Sequence, residues 1–121
     1  MPKKRKRKAI AFVESPLQFL SALEAHEADE DLLIRARANA KGMTSFLDAF
    51  DPKWLPKHVR LEREGAKPGI LRKLSPSRIY IGDACSGQVH KALSMAYLER
   101  RLPEVVVLDD GLATYSTIEI L

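Results

Sequence analysis

The sequence is poor in the features that would assign it to several large classes at once. It holds a single cysteine, Cys85, so no intrachain disulfide can form and a disulfide-stapled secreted scaffold is excluded; a lone thiol fits a reducing cytosol. No apolar run approaches the roughly 20 residues of a membrane-crossing helix. There is no long low-complexity tract. Gly82 and Gly87 have phosphate-loop spacing, but Gln88-Val89 stands where such a loop needs Lys and Ser or Thr, which excludes a Walker-type nucleotide site. The glycines do not fit the dinucleotide fingerprint either. His26, His58 and His90 show no metal-ligand spacing with one another or with Cys85, so no metal is expected from the sequence.

What is present is a globular composition, 45% hydrophobic and 30% charged, in 121 residues, enough for one domain. The net charge of +4 is misleading. Six of the 20 basic residues lie in Lys3-Lys4-Arg5-Lys6-Arg7-Lys8, and the other 14 face 16 acidic residues. The body is therefore near neutral, and residues 1–8 form a basic tail expected to be disordered or solvated. A nuclear-import or nucleic-acid patch is one reading of that tail. The preferred one is a solubilising extension with weak contact to an anionic membrane face through residues 3–8, because short basic runs are weak motifs and no aromatics interleave with the charges. Nucleic acid is thus not the expected partner. The expected location is the cytoplasm, extending to the inner face of the membrane.

From Ala9 onward the apolar pattern alternates between strands and helices. Ala9 to Val13 reads as a first strand, and Glu14-Ser15-Pro16-Leu17-Gln18 as a helix start. Ser15 is placed as N-cap, Pro16 at the first helical position, and Gln18 third, as in a capping box. Phe19, Leu20 and Leu23 then form an apolar stripe to about Glu27. Asp31 to Ala38 reads as a strand with one exposed end, Met43 to Phe50 as a short helix, His58 to Leu61 as a short strand and Ile70 to Leu74 as one or two helical turns. Arg78 to Ile81 is a fourth strand, followed by a helix to about Arg101 with Val89, Leu93, Ala96 and Tyr97 on its buried side. Val105-Val106-Val107-Leu108 has the composition of a strand buried on both faces. Thr114 to Leu121 reads as the start of another helix.

This alternation predicts an α/β fold: a Rossmann-like, open, mainly parallel sheet of about five strands over residues 9–121, with helices on both faces. In such sheets ligands bind along the carboxyl edge. The turns after strands one, four and five all fall there, and each carries polar groups or glycine. Glu14, Ser15 and Gln18 follow the first, Gly82, Asp83 and Ser86 the fourth, and Asp109, Asp110 and Gly111 the fifth. Two adjacent carboxylates in a crevice suit a general base, since each raises the other's proton affinity. The structural alternative is that Asp109 and Asp110 cap the following helix.

Taken together, Phe12-Val13-Glu14-Ser15-Pro16-Leu17-Gln18, Ile81-Gly82-Asp83 with Ser86-Gly87, and Leu108-Asp109-Asp110-Gly111-Leu112-Ala113-Thr114 resemble the N-terminal domain of bacterial sialyltransferases and polysialyltransferases. Those are the capsule and lipooligosaccharide enzymes of the two-domain GT-B type, and the most specific likeness is the acidic pair followed by Gly. The resemblance implies the first half of a GT-B fold whose Asp109 or Asp110 removes a proton from a carbohydrate acceptor. It implies a cytidine-monophosphate (CMP) sugar as donor, with no cofactor and no metal. Glu14, Ser15, Gln18, Gly82, Asp83, Ser86 and Gly111 would line the acceptor site.

The chain departs from the pattern in having no His-Pro pair, which in those families belongs to a second, nucleotide-holding domain; its three histidines precede Glu27, Val59 and Lys91. The expectation is therefore an acceptor-side domain, truncated at its C-terminus and inactive alone, that is completed by a C-terminal domain or self-associates. The alternative is a non-catalytic Rossmann-like binding or assembly module.

Overall fold

The computed structural model describes residues 7–37, 42–67, 69–82, 87–98, 103–108 and 115–118. They build one six-stranded sheet in the order β3-β2-β1-β4-β5-β6. The strands are β1 (Arg7–Val13), β2 (Glu30–Ala36), β3 (Val59–Glu62), β4 (Arg78–Gly82), β5 (Glu104–Leu108) and β6 (Tyr115–Ile118). The first five pair in parallel, so the expected Rossmann-like α/β fold is what forms. The helices are α1 (Pro16–Ala25), α2 (Met43–Ala49), α3 (Ile70–Leu74) and α4 (Gly87–Leu98), with a 3₁₀ turn at Pro52–Trp54.

Side-chain alternation in β1 explains the layering. Ala9, Ala11 and Val13 enter one core with Phe19, Ala22 and Ala25 of α1 and Met43 and Leu47 of α2. Ile10 and Phe12 enter the other, with Ile70 and Leu71 of α3 and Ala96 of α4. The two small alanines of β1 let α1 lie close to the sheet. Fully buried Phe19 meets Phe46 and Phe50 edge-on, at ring-centroid distances of 5.1 and 5.0 Å. Such pairs contribute about 0.5–1.5 kcal/mol beyond area burial.

Several expectations need correction. Arg7 and Lys8 open β1 rather than belonging to a tail, because β1 pairs with β2 from Arg7↔Glu30 onward. In the α1 stripe, Phe19 is buried and Leu23 packs against the core as expected, but Leu20 is exposed, and Gln18, Ala22 and Ala25 complete the buried face. On α4, Tyr97 lies outside the Leu93–Ala96 contact and is half exposed. The second half of β2 is buried, Arg35 included, instead of facing solvent. Trp54, two-thirds exposed, touches Phe50 edge-on and flanks the core. Residues 115–118 are not helix. They form a strand antiparallel to β5 (Val105↔Ile118), as Tyr115, Thr117 and Ile118 favour by their branched and aromatic side chains. No described helix is long and apolar enough to cross a membrane.

Candidate functional site

The strand order reverses between β1 and β4, which are adjacent although β1 leads to β2 and β4 to β5. This is the topological switch point, and the crevice outside its carboxyl ends is where open α/β sheets take ligands. The register brings Phe12 beside Ile81 and Gly82 beside Leu108. The ends of β1, β4 and β5 therefore share one edge, as the three-turn reading requires. β5 is also interior, paired with β4 on one side and β6 on the other.

The turn after β1 is built by its own sequence. Ser15 has extended backbone angles, and its Oγ accepts from Gln18 N–H at 3.2 Å. The return bond differs from a standard capping box. Gln18 Oε1 accepts from Glu14 N–H at 2.8 Å, one residue ahead of the N-cap. Neither bond takes up the N–H groups of Ser15 and Leu17, which are two of the donors a helix start leaves without intrahelical acceptors.

Gln18 is 5% exposed, and its amide lies directly over Gly82. A Cβ added at Gly82 would fall 2.0 Å from Gln18 Nε2 and 2.4 Å from its Cδ. Any Cβ here would force the Gln18 amide to move, so glycine lets the end of β4 lie against the turn that follows β1. A third element closes on the same turn from the β2 side. Arg37 N–H donates to the Val13 carbonyl at 3.0 Å, and its guanidinium lies 3.5 Å from Glu14 Oε2. Glu14 is mostly covered, and the Arg37 side chain is about one-third exposed. The edge therefore offers a hydroxyl, an amide, a carboxylate and a guanidinium close together, a set suited to a polyhydroxylated or anionic small molecule.

The structure brings Glu14, Ser15, Gln18 and Gly82 into one place. Asp83, Ser86, Asp109, Asp110 and Gly111 lie outside the described residues, although the strands that lead into them end at this edge. With a strand at Tyr115–Ile118, the helix that Asp109 and Asp110 were expected to cap is absent among the described residues. Arg37 was not singled out in the sequence; its place one residue beyond a parallel strand was the available signal.

The opposite, amino edge holds a polar network that the sequence did not reveal. Glu30 is fully buried and accepts from Tyr80 Oη–H at 2.5 Å and from Glu27 N–H at 2.9 Å. Its second oxygen has no hydrogen-bond donor but lies 3.4 Å from the Arg78 guanidinium. Arg78 also pairs with Glu104 at 2.6 Å and Glu27 at 3.4 Å. Burial, reinforced by the bond to Glu30, raises the Tyr80 hydroxyl well above the usual tyrosine range. Burial alone would lower the Arg78 guanidinium, but Tyr80, Glu30 and Glu104 together carry it upward.

A cavity of about 330 Å³ also lies near this amino edge, with Ile10 and Leu33 among its apolar residues and Lys8, Lys57 and Arg60 among its charged ones. It shares no residue with the carboxyl-edge turns, so volume and topology point to different ends. The converging polar groups lie at the switch point.

Fold and crevice define the class, a Rossmann-like α/β protein with a polar switch-point site. Comparison with protein-family models, with curated proteins and with solved structures finds no match.

Proposed function

We propose that this chain is the acceptor-side domain of a sialyltransferase-like glycosyltransferase that uses a CMP-sugar donor. The observation that carries the reading is the Gln18–Gly82 contact, which joins the turn after β1 to the end of β4, at the edge where β5 also ends. The same two stretches carry motifs that resemble the sialyltransferase family. In the proposed reaction, Asp109 or Asp110 takes the proton from an acceptor sugar hydroxyl. The freed oxygen pair forms a bond to the anomeric carbon of the donor, and the bond from that carbon to the CMP phosphate oxygen breaks, with its electrons leaving on the nucleotide. Ser15, Gln18 and Glu14 orient the acceptor, and a separate nucleotide-holding domain supplies the donor, because positioning of both reactants is required for rate. Capsule or lipooligosaccharide synthesis at the cytoplasmic side of a bacterial membrane is the setting that this reading implies.

The test is saturation-transfer NMR of the chain with a panel of galactose- and sialic-acid-terminated oligosaccharides, followed by CMP release from CMP-sialic acid when a nucleotide-holding domain is supplied. Saccharide binding should be lost in Ser15→Ala/Gln18→Ala and kept in Arg60→Ala at the opposite edge. Asp109→Ala or Asp110→Ala should lower CMP release by about 10²-fold or more, the range of a general base. Absence of saccharide binding, or turnover indifferent to both aspartates, overturns the proposal. Binding without any turnover identifies a non-catalytic module using the same crevice.

A further inference from the structure

We propose that His26 and His58 form a binding site for a borderline divalent transition-metal ion of the zinc class, at the amino edge and separate from the carboxyl-edge crevice. The two residues are 32 positions apart in the chain, yet their Nε2 atoms lie 2.9 Å from each other, with ring centroids 5.0 Å apart. His26 Nδ1 lies 2.5 Å from the Leu23 carbonyl oxygen. A carbonyl can only accept, so Nδ1 carries the hydrogen and Nε2 presents its lone pair toward His58. A backbone carbonyl that fixes the far nitrogen in this way is the usual outer support of a metal-bound histidine. Without an ion, the proton on His58 Nε2 bridges the gap. An ion takes that proton's place, and the proton moves to His58 Nδ1, leaving the ring neutral.

The dimensions fit. Bonds of about 2.0–2.1 Å at a tetrahedral angle place two nitrogens about 3.3 Å apart, so the rings need to separate by only about 0.4 Å. Both backbones are held. His26 is the C-cap residue of α1 and donates its N–H to Ala22 O at 3.0 Å, while the His58 carbonyl accepts from Leu32 N–H at 2.9 Å. Among the described residues, no group of three or more His, Cys, Asp or Glu gathers to hold a metal, so the ion would have two protein ligands and water in its other positions. His58 also lines the 330 Å³ cavity, which gives those waters room. Two neutral imidazoles select Zn²⁺, Cu²⁺, Ni²⁺ or Co²⁺ over Mg²⁺ and Ca²⁺. The bound ion would tie the end of α1 to the entry of β3.

The test is zinc titration of the untagged chain by calorimetry, with melting followed in parallel. One ion should bind per chain and raise Tm, and chelator should reverse this; magnesium should do neither. His26→Gln and His58→Gln should each weaken binding at least about tenfold, whereas Cys85→Ser and His90→Gln should leave it unchanged. Should either glutamine variant fail to fold, long-range ¹H–¹⁵N NMR of the wild-type chain decides. Zinc should shift the Nε2 resonances of both His26 and His58. No binding at about 100 µM zinc, binding that survives in His26→Gln/His58→Gln, or unmoved ring nitrogens overturns the site.

Discussion

Replacing Gly82 by alanine probes the contact between the end of β4 and the turn after β1. Gly82 is not among the positive-φ glycines, so the backbone there accepts alanine without strain. On backbone grounds alone the change would stabilise the protein by about 0.4–1 kcal/mol, through the unfolded chain. The contact reverses that sign. The added carbon would meet Gln18 Nε2 at 2.0 Å, Cδ at 2.4 Å and Oε1 at 3.0 Å. Carbon contacts are comfortable at about 3.5–4.0 Å, so the amide must retreat by about 1.5 Å. Its Oε1 cannot do so and still accept from Glu14 N–H at 2.8 Å. Overpacking costs about 1–3 kcal/mol and the stranded N–H about 1–3 more, partly relieved because this region is only part-buried. The expected loss is about 2–3 kcal/mol. Gln18→Ala alone should cost about 1–2 kcal/mol, and the double variant little more than that, since the clash disappears with the amide. The coupling between the sites should thus be about 2–3 kcal/mol. Urea denaturation followed by circular dichroism, with m unchanged across the set, measures it. Costs that add within about 0.5 kcal/mol would refute that contact.

The amino-edge network gives a pH prediction. The Tyr80 hydroxyl is raised by burial and by its bond to Glu30, so above about pH 10, where a free tyrosine ionises, the folded state holds a proton that the unfolded state has lost. Stability therefore falls as pH rises beyond that point. Tyr80→Phe should cost about 1.5–3 kcal/mol near neutral pH yet flatten the alkaline decline; an unchanged slope of urea midpoint between about pH 9 and 11 would contradict this. Arg35 is 5% exposed and is held by Glu62 at 2.8 Å, Glu64 at 3.2 Å and the Gly65 carbonyl. Both acids are about half exposed, so Arg35→Met, which returns them to water, should destabilise less than Glu62→Ala/Glu64→Ala, which strands the buried guanidinium. Thermal melts of the two variants give the order, and equal losses would show that the pairs are screened.

The parallel sheet was legible because Ala9–Val13, Ile79–Ile81 and Val105–Leu108 are apolar runs bounded by breakers, and Ser15-Pro16 marks a helix start by local chemistry alone. The common edge of the first, fourth and fifth strands followed from topology. Burial of charge was not legible. Glu30 is satisfied by Tyr80, 50 positions away, and Arg35 by residues 27–30 positions away, so no local pattern announces either. The His26–His58 approach escaped for the same reason. β6 was misread because so short a segment does not let periodicity decide between helix and strand. Near the candidate site, Glu14, Ser15, Gln18 and Gly82 come together at one edge, and Arg37 beside them was overlooked.

β1 is made before the other five described strands of this sheet, yet it lies inside it. Its Ile10 and Phe12 come to rest beside Ile79 and Ile81 of β4, about 70 positions later in the chain. Until β4 has left the ribosome, one side of β1 has no native neighbour, and its apolar backbone edge stays open to stray pairing. Lys8, one position before the apolar run, and Arg7 before it put charge at the start of that edge. Charges beside an apolar strand are of the kind that disfavours stray pairing while a native partner has yet to be translated.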